Sequence, residues 1–414
     1  MPCAVSSYET SSATAALEPL PLPPGVRFRQ VETSTLPFHI LEAGYSPARD
    51  RPLILLLHGF PGIAFTRRKV LPLLADAGFY VVAPDQRGFG RTTGWDTRGF
   101  DEVDLSTFSR TNLLRDMVVL IHALGYRSVR CVVSHDAGAV TAAMCALARP
   151  DMFQSVVLMS HPFNGTPSLP FNVANNNGPA AAGASASGAG GGAEGAAADI
   201  HADLAALGRK HYKWYYSTAS ANADVTSPPV AGGLHEFLTS RAGRGPATTR
   251  TRSAPGSLAE LAQLPNYYIM PLEATMPEAV AIDMAQETDE AKRRSHAWFP
   301  DEDLAVYVSE YSRTGFQGGL NWYRVRTAAG GRYTRDFDIF AGKKIEPPCA
   351  YVAGRLDWGT YQEPGAVEKM ADGTVCADFR FLRLIEGAGH WVQQEKPEEV
   401  VEAILDLVRG VQGK

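Results

Sequence analysis

The chain has 414 residues, 45% of them hydrophobic and 20% charged, and its 39 Lys and Arg against 44 Asp and Glu leave a net charge of −5. This composition excludes collagen, coiled coil and general disorder, and the charge is too mild to hold DNA or an anionic membrane by electrostatics alone, so no nucleic-acid partner is expected. The cysteines, Cys3, Cys131, Cys145, Cys349 and Cys376, are odd in number and contain no C-x-x-C pair, which argues against a disulfide framework or thiolate zinc site and fits a reducing, cytoplasmic location.

Residues 1–30 form an expected extended arm, because the run Pro19-Leu-Pro-Leu-Pro-Pro24 forbids helix and removes backbone donors. The opening Met-Pro-Cys-Ala has neither the basic start nor the apolar stretch of a secretory signal, and no segment reaches the roughly 18 apolar residues of a membrane span. A first core segment, 31–165, alternates short apolar runs with amphipathic stretches. Leu53 to Leu57, Phe79 to Ala83, Val129 to Val133 and Ser155 to Met159 have the length of buried strands. Between them, Leu113, Leu114, Met117, Val118, Ile121 and Leu124 make one apolar stripe on a helix expected over Thr107 to Leu124. Strands separated by helices predict an α/β fold with a mostly parallel sheet covered on both faces.

The rhythm stops near Phe163, and residues 166–326 read as an inserted, largely helical cap. Its tract Gly178 to Asp199, almost wholly Ala, Gly and Ser, has too little apolar surface to offset the entropy of ordering it and is expected to be a flexible surface insertion. Arg241 to Ser257, with four arginines among Gly, Pro and Thr, is expected to be a solvated loop. The core resumes over 327–414, with strands at Ala350 to Ala353 and Phe379 to Leu384 and a closing helix from Glu398 to Val408.

Chemistry concentrates in the turns after strands. In Val132-Val133-Ser134-His135-Asp136-Ala137-Gly138, small residues two before and two after Asp136 are what a sharp strand-to-helix elbow requires, and such an elbow presents a nucleophile at the carboxyl end of a sheet. The plain alternative is that Asp136 caps the following helix. His58-Gly59-Phe60-Pro61 follows the first long apolar strand, where an elbow enzyme takes one amide of an oxyanion hole; the donors would be the backbone N–H groups of Phe60 and Ala137. Asp357, in Gly354-Arg355-Leu356-Asp357-Trp358, and His390, in Gly387-Ala388-Gly389-His390-Trp391, follow later strands. Each alone is weak, but their order of nucleophile, acid and histidine is the one this architecture uses.

With these motifs in view, the sequence resembles the α/β-hydrolase superfamily and, within it, the epoxide hydrolases. The resemblance spans about 30 to 165 and 345 to 414, through His58-Gly-Phe-Pro61, Asp85-Gln-Arg-Gly-Phe-Gly-Arg91, the Asp136 elbow and Gly389-His390-Trp391. In the cap, Gly319-Leu-Asn-Trp-Tyr-Arg324 is similar to the family's segment with a ring-opening tyrosine, which implies that role for Tyr323. His211-Tyr-Lys-Trp-Tyr-Tyr216 is similar to the segment with its partner, implying Tyr212, with Tyr215 as runner-up. His58, Pro61, Trp322, Trp391 and Tyr215 are expected around the substrate. An Asp nucleophile suits an sp³ carbon with a leaving oxygen or halide, since attack gives an alkyl ester that water can cleave; Ser134 sits on the strand side of the turn and is a poor esterase nucleophile.

The resemblance therefore implies opening of a largely apolar small-molecule epoxide to a vicinal diol, with water as co-substrate, no metal or organic cofactor, and a homodimer left open. His235-Glu236 lacks the second histidine of H-E-x-x-H. Ala137, where the family generally carries an aromatic residue, predicts a roomy pocket floor. The competing readings are a haloalkane or haloacid dehalogenase with the same triad, a non-catalytic ligand-binding protein on this fold, and a cyclase that opens an epoxide with an internal hydroxyl.

Overall fold

The computed structural model describes residues 17–167, 200–226, 261–363 apart from 263, and 365–411. The tract Gly178 to Asp199, the loop Arg241 to Ser257, the pair His235-Glu236 and Cys3 lie outside the described residues. Ten strands are present among those described: β1 (Val26–Val31), β2 (Phe38–Ala43), β3 (Leu53–Leu57), β4 (Tyr80–Pro84), β5 (Cys131–His135), β6 (Val156–Met159), β7 (Arg209–His211), β8 (Ile269–Pro271), β9 (Cys349–Gly354) and β10 (Phe379–Ile385). Eight of them form one sheet in the order β1-β2-β4-β3-β5-β6-β9-β10, parallel from β4 to β10 and antiparallel at β1 and β2.

The parallel strands are buried on both faces, which is why they read as continuous apolar runs. Alternate residues divide between two cores. Leu53, Leu55, Leu57 and Val132 face one, with helices α2 (Arg110–Ala123) and α3 (Gly138–Ala148), while Ile54, Leu56, Cys131 and Val133 face the other. That second core is closed by helix α1 (Val70–Asp76) and by the C-terminal helix Pro397–Val411, whose Val400, Val401, Ile404, Leu407 and Val408 are buried. Cys131, Cys145, Cys349 and Cys376 are buried and unbridged. No described helix is long and apolar enough to cross a membrane.

The sequence leads to one correction at the amino end. The arm expected to reach residue 30 gives way to strand β1 at Val26, and its Leu20 and Leu22 pack against the cores. The pairing of β1 with β2 is held by side chains as well as backbone: Arg27 Nε donates to Glu42 at 2.8 Å and Arg29 Nη2 at 3.1 Å, with the Tyr80 hydroxyl donating to the same carboxylate.

The chain between β6 and β9 carries helices including Tyr212–Tyr215, Met276–Met284 and Asp289–Trp298, then α4 (Asp301–Thr314) and α5 (Gln317–Thr327), with β7 and β8 as a small antiparallel pair. It sits on the carboxyl end of the sheet through an aromatic core that includes Phe60, Phe89, Tyr212, Tyr216, Phe316, Tyr323 and Trp391. Buried ion pairs stitch this seam: Arg68 with Asp303, and Arg91 Nε with Glu310 at 2.7 Å. Backbone meets backbone at Gly88 and Gly318, where any Cβ would overlap the opposing glycine, so α5 can descend onto the loop after β4.

Candidate active site

Asp136 directly follows β5 and adopts φ +53°, a left-handed conformation that a non-glycine residue takes only when its surroundings hold it there. Two glycines allow it. A Cβ on Gly138 would overlap the His58 carbonyl, and one on Gly59 would overlap Asp136 itself. Ser134 is buried and its hydroxyl donates to the Val157 carbonyl at 3.3 Å, so it serves the sheet. The expected elbow is thus formed, and Asp136 is 1% exposed.

Three predicted residues converge here. The Phe60 amide donates to Asp136 Oδ1 at 2.9 Å, the His390 Nε2 lies 3.4 Å from Asp136 Oδ2, and His390 Nδ1 lies 3.0 Å from Asp357 Oδ1. That Asp357 oxygen also accepts from the Gly359 amide at 2.7 Å, which fixes the carboxylate behind the imidazole. Asp136 therefore has one oxygen on a backbone donor and the other toward a histidine. The second expected amide belongs to Ala137, which precedes α3 and is half-buried against the aromatic seam.

The aromatic side of the site comes from the inserted helices. Tyr212 and Tyr323 lie with ring centroids 5.8 Å apart, and Tyr323 meets the Phe60 ring edge-on at 5.6 Å. Gly319, where a Cβ would strike the Phe60 and Phe89 rings, lets α5 bring Tyr323 down to this level. The Tyr212 hydroxyl also reaches Gln362 Oε1 at 3.2 Å. Tyr215 turns elsewhere: its hydroxyl donates to Asp224 at 2.9 Å.

The remaining predicted contacts divide. Trp391 is fully buried beside His390, with ring centroids 5.2 Å apart. Trp322 donates its indole N–H to the Arg87 carbonyl at 2.9 Å and packs on Phe89, so it secures the seam and is not aimed at Asp136. His58 is occupied on both ring nitrogens, with Gly59 O at 3.0 Å and the Gln86 amide at 3.0 Å; burial pushes it down to about 4, so it is neutral and shapes the Phe60 loop. The Pro61 carbonyl accepts from the Tyr311 hydroxyl at 2.9 Å.

Sequence reasoning missed the groups that hold His390. Its carbonyl accepts from His135 Nε2 at 2.6 Å and from Ser160 Oγ at 3.0 Å. The flanking amides of Gly389 and Trp391 donate to the two oxygens of Glu395, at 2.9 and 3.0 Å. Burial, and then the neighbouring His390, keep His135 well below the ordinary histidine range. Burial pushes the Glu395 carboxyl up to about 7 against the pull of those two amides. Nothing in the local sequence marks Glu395, whose partners are set by the turn between His390 and the last helix.

Comparisons with known proteins show what the chain is similar to. Residues 52–183 match the family model described as alpha/beta hydrolase fold. Epoxide hydrolase B of Mycobacterium tuberculosis is 29% identical over 391 residues, covering 88% of this chain and 93% of that protein. Epoxide hydrolase A of the same organism is 28% identical over 93% of this chain and 98% of its own length. The solved structure of an epoxide hydrolase from an endophytic Streptomyces superposes with a TM-score of 0.70 at 25% identity, covering 95% of this chain and 98% of that one.

Proposed function

On the premise that this chain is an α/β-hydrolase-fold enzyme of the epoxide hydrolase kind, we propose that Asp136 Oδ2 attacks one carbon of a small-molecule epoxide and that water then releases a vicinal diol. The observation that carries this assignment is the line Asp136, His390, Asp357 set beneath a pair of tyrosines. Tyr212 and Tyr323 hydrogen-bond the epoxide oxygen and supply a proton as alkoxide charge develops, because an unprotonated alkoxide is a poor leaving group. The product of this step is an alkyl ester on Asp136.

In the second step His390, its tautomer set by Asp357 on Nδ1, takes a proton from water through Nε2. The hydroxide attacks the ester carbonyl, and charge collects on Asp136 Oδ1, the oxygen that accepts from the Phe60 amide at 2.9 Å. The Ala137 amide is the second donor of this oxyanion hole. One such donor is worth about 3 kcal/mol in a dry site. On collapse the ester oxygen leaves with the proton held on His390, the new carboxyl's proton returns to the tyrosine that gave one in the first step, and the diol is freed with the Asp136 carboxylate restored.

The test is one turnover of styrene oxide in ¹⁸O water with enzyme in excess. The label enters the peptide containing Asp136, and the diol carries none, because water attacks the enzyme's carbonyl carbon. Label in the diol alone overturns the covalent route.

A further inference from the structure

A small cavity of about 20 Å³ is lined by Arg110, Val140, His161, Asn164, Arg326 and Glu363, among others. We propose that this cavity binds the carboxylate of the substrate, so that the enzyme acts on short epoxy carboxylic acids; this rests on the epoxide-opening reading above.

Two guanidiniums meet here with no carboxylate hydrogen-bonded to either among the described residues, Glu363 and Asp336 acting on Arg110 only from a distance. Arg110 opens α2 and is 8% exposed, with its side chain stacked 4.1 Å from the Phe337 ring centroid. Its Nε has no acceptor, and neither Arg110 nor Arg326 forms a hydrogen bond or ion pair among the described residues. Burial, followed by repulsion from Arg326, pushes Arg110 down to about 9. A buried cation such as Arg110 without a hydrogen-bonded counter-charge is costly, and a second cation beside it adds to the cost, unless an anion joins them.

The acids nearby are already engaged. Glu363 pairs with Lys213 at 3.2 Å and faces His161 Nε2 at 3.6 Å. Burial alone would raise its carboxyl, but Lys213, with His161 and Arg326, outweighs that and holds it at about 2. Asp336 accepts from the Thr111 amide and hydroxyl through Oδ2, while its buried Oδ1 has no hydrogen-bond partner among the described residues. Asn164 Oδ1 accepts from Lys369 Nζ at 3.0 Å. Arg110 and Arg326 are the cations left over.

Size and position select the ligand. A water needs about 10 to 15 Å³ of such space, so the cavity holds the equivalent of one or two waters, which suits the two oxygens of a planar carboxylate. Arginine forks match that shape in a bidentate manner. Val140 lies one helical turn beyond Asp136, Arg326 one turn beyond Tyr323, and Glu363 directly after the Gln362 that contacts Tyr212. One turn is about 5 Å, a span covered by a carboxylate within one to three bonds of the epoxide ring. Ala137, half-buried just before α3, puts no large side chain between Asp136 and Val140.

The experiment uses the full chain with trans-3-phenyloxirane-2-carboxylate, its methyl ester and styrene oxide, and measures binding of the unreactive cinnamate and methyl cinnamate by calorimetry. The acid is preferred over the ester by about 10- to 100-fold in kcat/KM, the range expected for a charge-assisted pair. Arg326→Gln, at a half-buried position, removes most of that preference through a higher KM for the acid and weakens cinnamate at least about 10-fold with methyl cinnamate little changed; Arg110→Gln does the same. Equal use of acid and ester, or a preference that survives both substitutions, overturns the subsite. Arg326-dependent cinnamate binding with no diol from any of the three epoxides upholds the anion site and instead sinks the epoxide-opening reading.

Discussion

Replacing Glu395 by Gln separates the effect of its charge from that of its shape. The carboxyl sits behind His390, bonded to the Gly389 and Trp391 amides, and burial lifts it from the ordinary 4.5 to about 7. A carboxyl raised by folding binds its proton more tightly in the native state, so its contribution to stability is full below about pH 4.5 and is lost as pH rises through about 7. The shift corresponds to about 3 kcal/mol. Gln is neutral throughout and keeps one of the two amide contacts, so it costs about 1 kcal/mol at low pH. The two proteins should therefore cross: the variant is the less stable at about pH 5 and the more stable at about pH 8.5. Urea denaturation at both pH values reads this directly, and the titrating groups that do not feel Glu395, all but neighbours such as Asp357 and His390, are common to the pair and cancel. Parallel stability profiles for wild type and Glu395→Gln would refute a protonation equilibrium at Glu395.

Three further substitutions examine the elbow and the chemistry. His390→Gln should stop at the alkyl ester, visible by intact mass as protein plus one epoxide with the adduct on the Asp136 peptide; a variant that turns over without accumulating adduct removes His390 as the hydrolytic base. Tyr323→Phe should lower kcat for styrene oxide by about 100-fold or more with little change in KM, since a positioned acid acts in the transition state; an unchanged kcat assigns ring opening to another group. Gly138→Ala forces a methyl into the His58 carbonyl, where both sides are backbone and neither can retreat. It should cost about 3 kcal/mol in thermal or urea unfolding, and a loss below about 0.5 kcal/mol would show that the elbow relaxes.

The parallel strands were legible because burial on both faces leaves them uninterrupted apolar runs, as Leu53–Leu57 illustrates. Strand β2 was not, although every residue of Phe38–Ala43 is buried. Its His39 and Glu42 break the apolar run, and both are satisfied only by distant partners, Asp85 for one and Arg27, Arg29 and Tyr80 for the other. The catalytic candidates follow the same division. Asp136, Asp357 and His390 each stand in a turn after a strand, where small residues announce the geometry. Trp322, by contrast, neighbours Tyr323 in sequence but points about 100° away around the helix, into the seam with Arg87 and Phe89. Glu395, Arg110 and Arg326 acquire their meaning from packing between elements, and no local spacing signals it.

His135 and His390, whose bond at 2.6 Å ties the elbow to the catalytic loop, stand 255 residues apart in the chain. At a synthesis rate of about 5 to 20 residues per second, that separation is roughly 13 to 50 s on a ribosome. Throughout that interval the elbow side of the site has been translated while His390 has not. On the proposed mechanism the nascent protein carries Asp136 without the means of releasing an ester, and an electrophile reaching that carboxylate at that stage would leave a lasting adduct. Docking of the last strand and helix is in this sense what turns a one-time alkylation target into a catalyst.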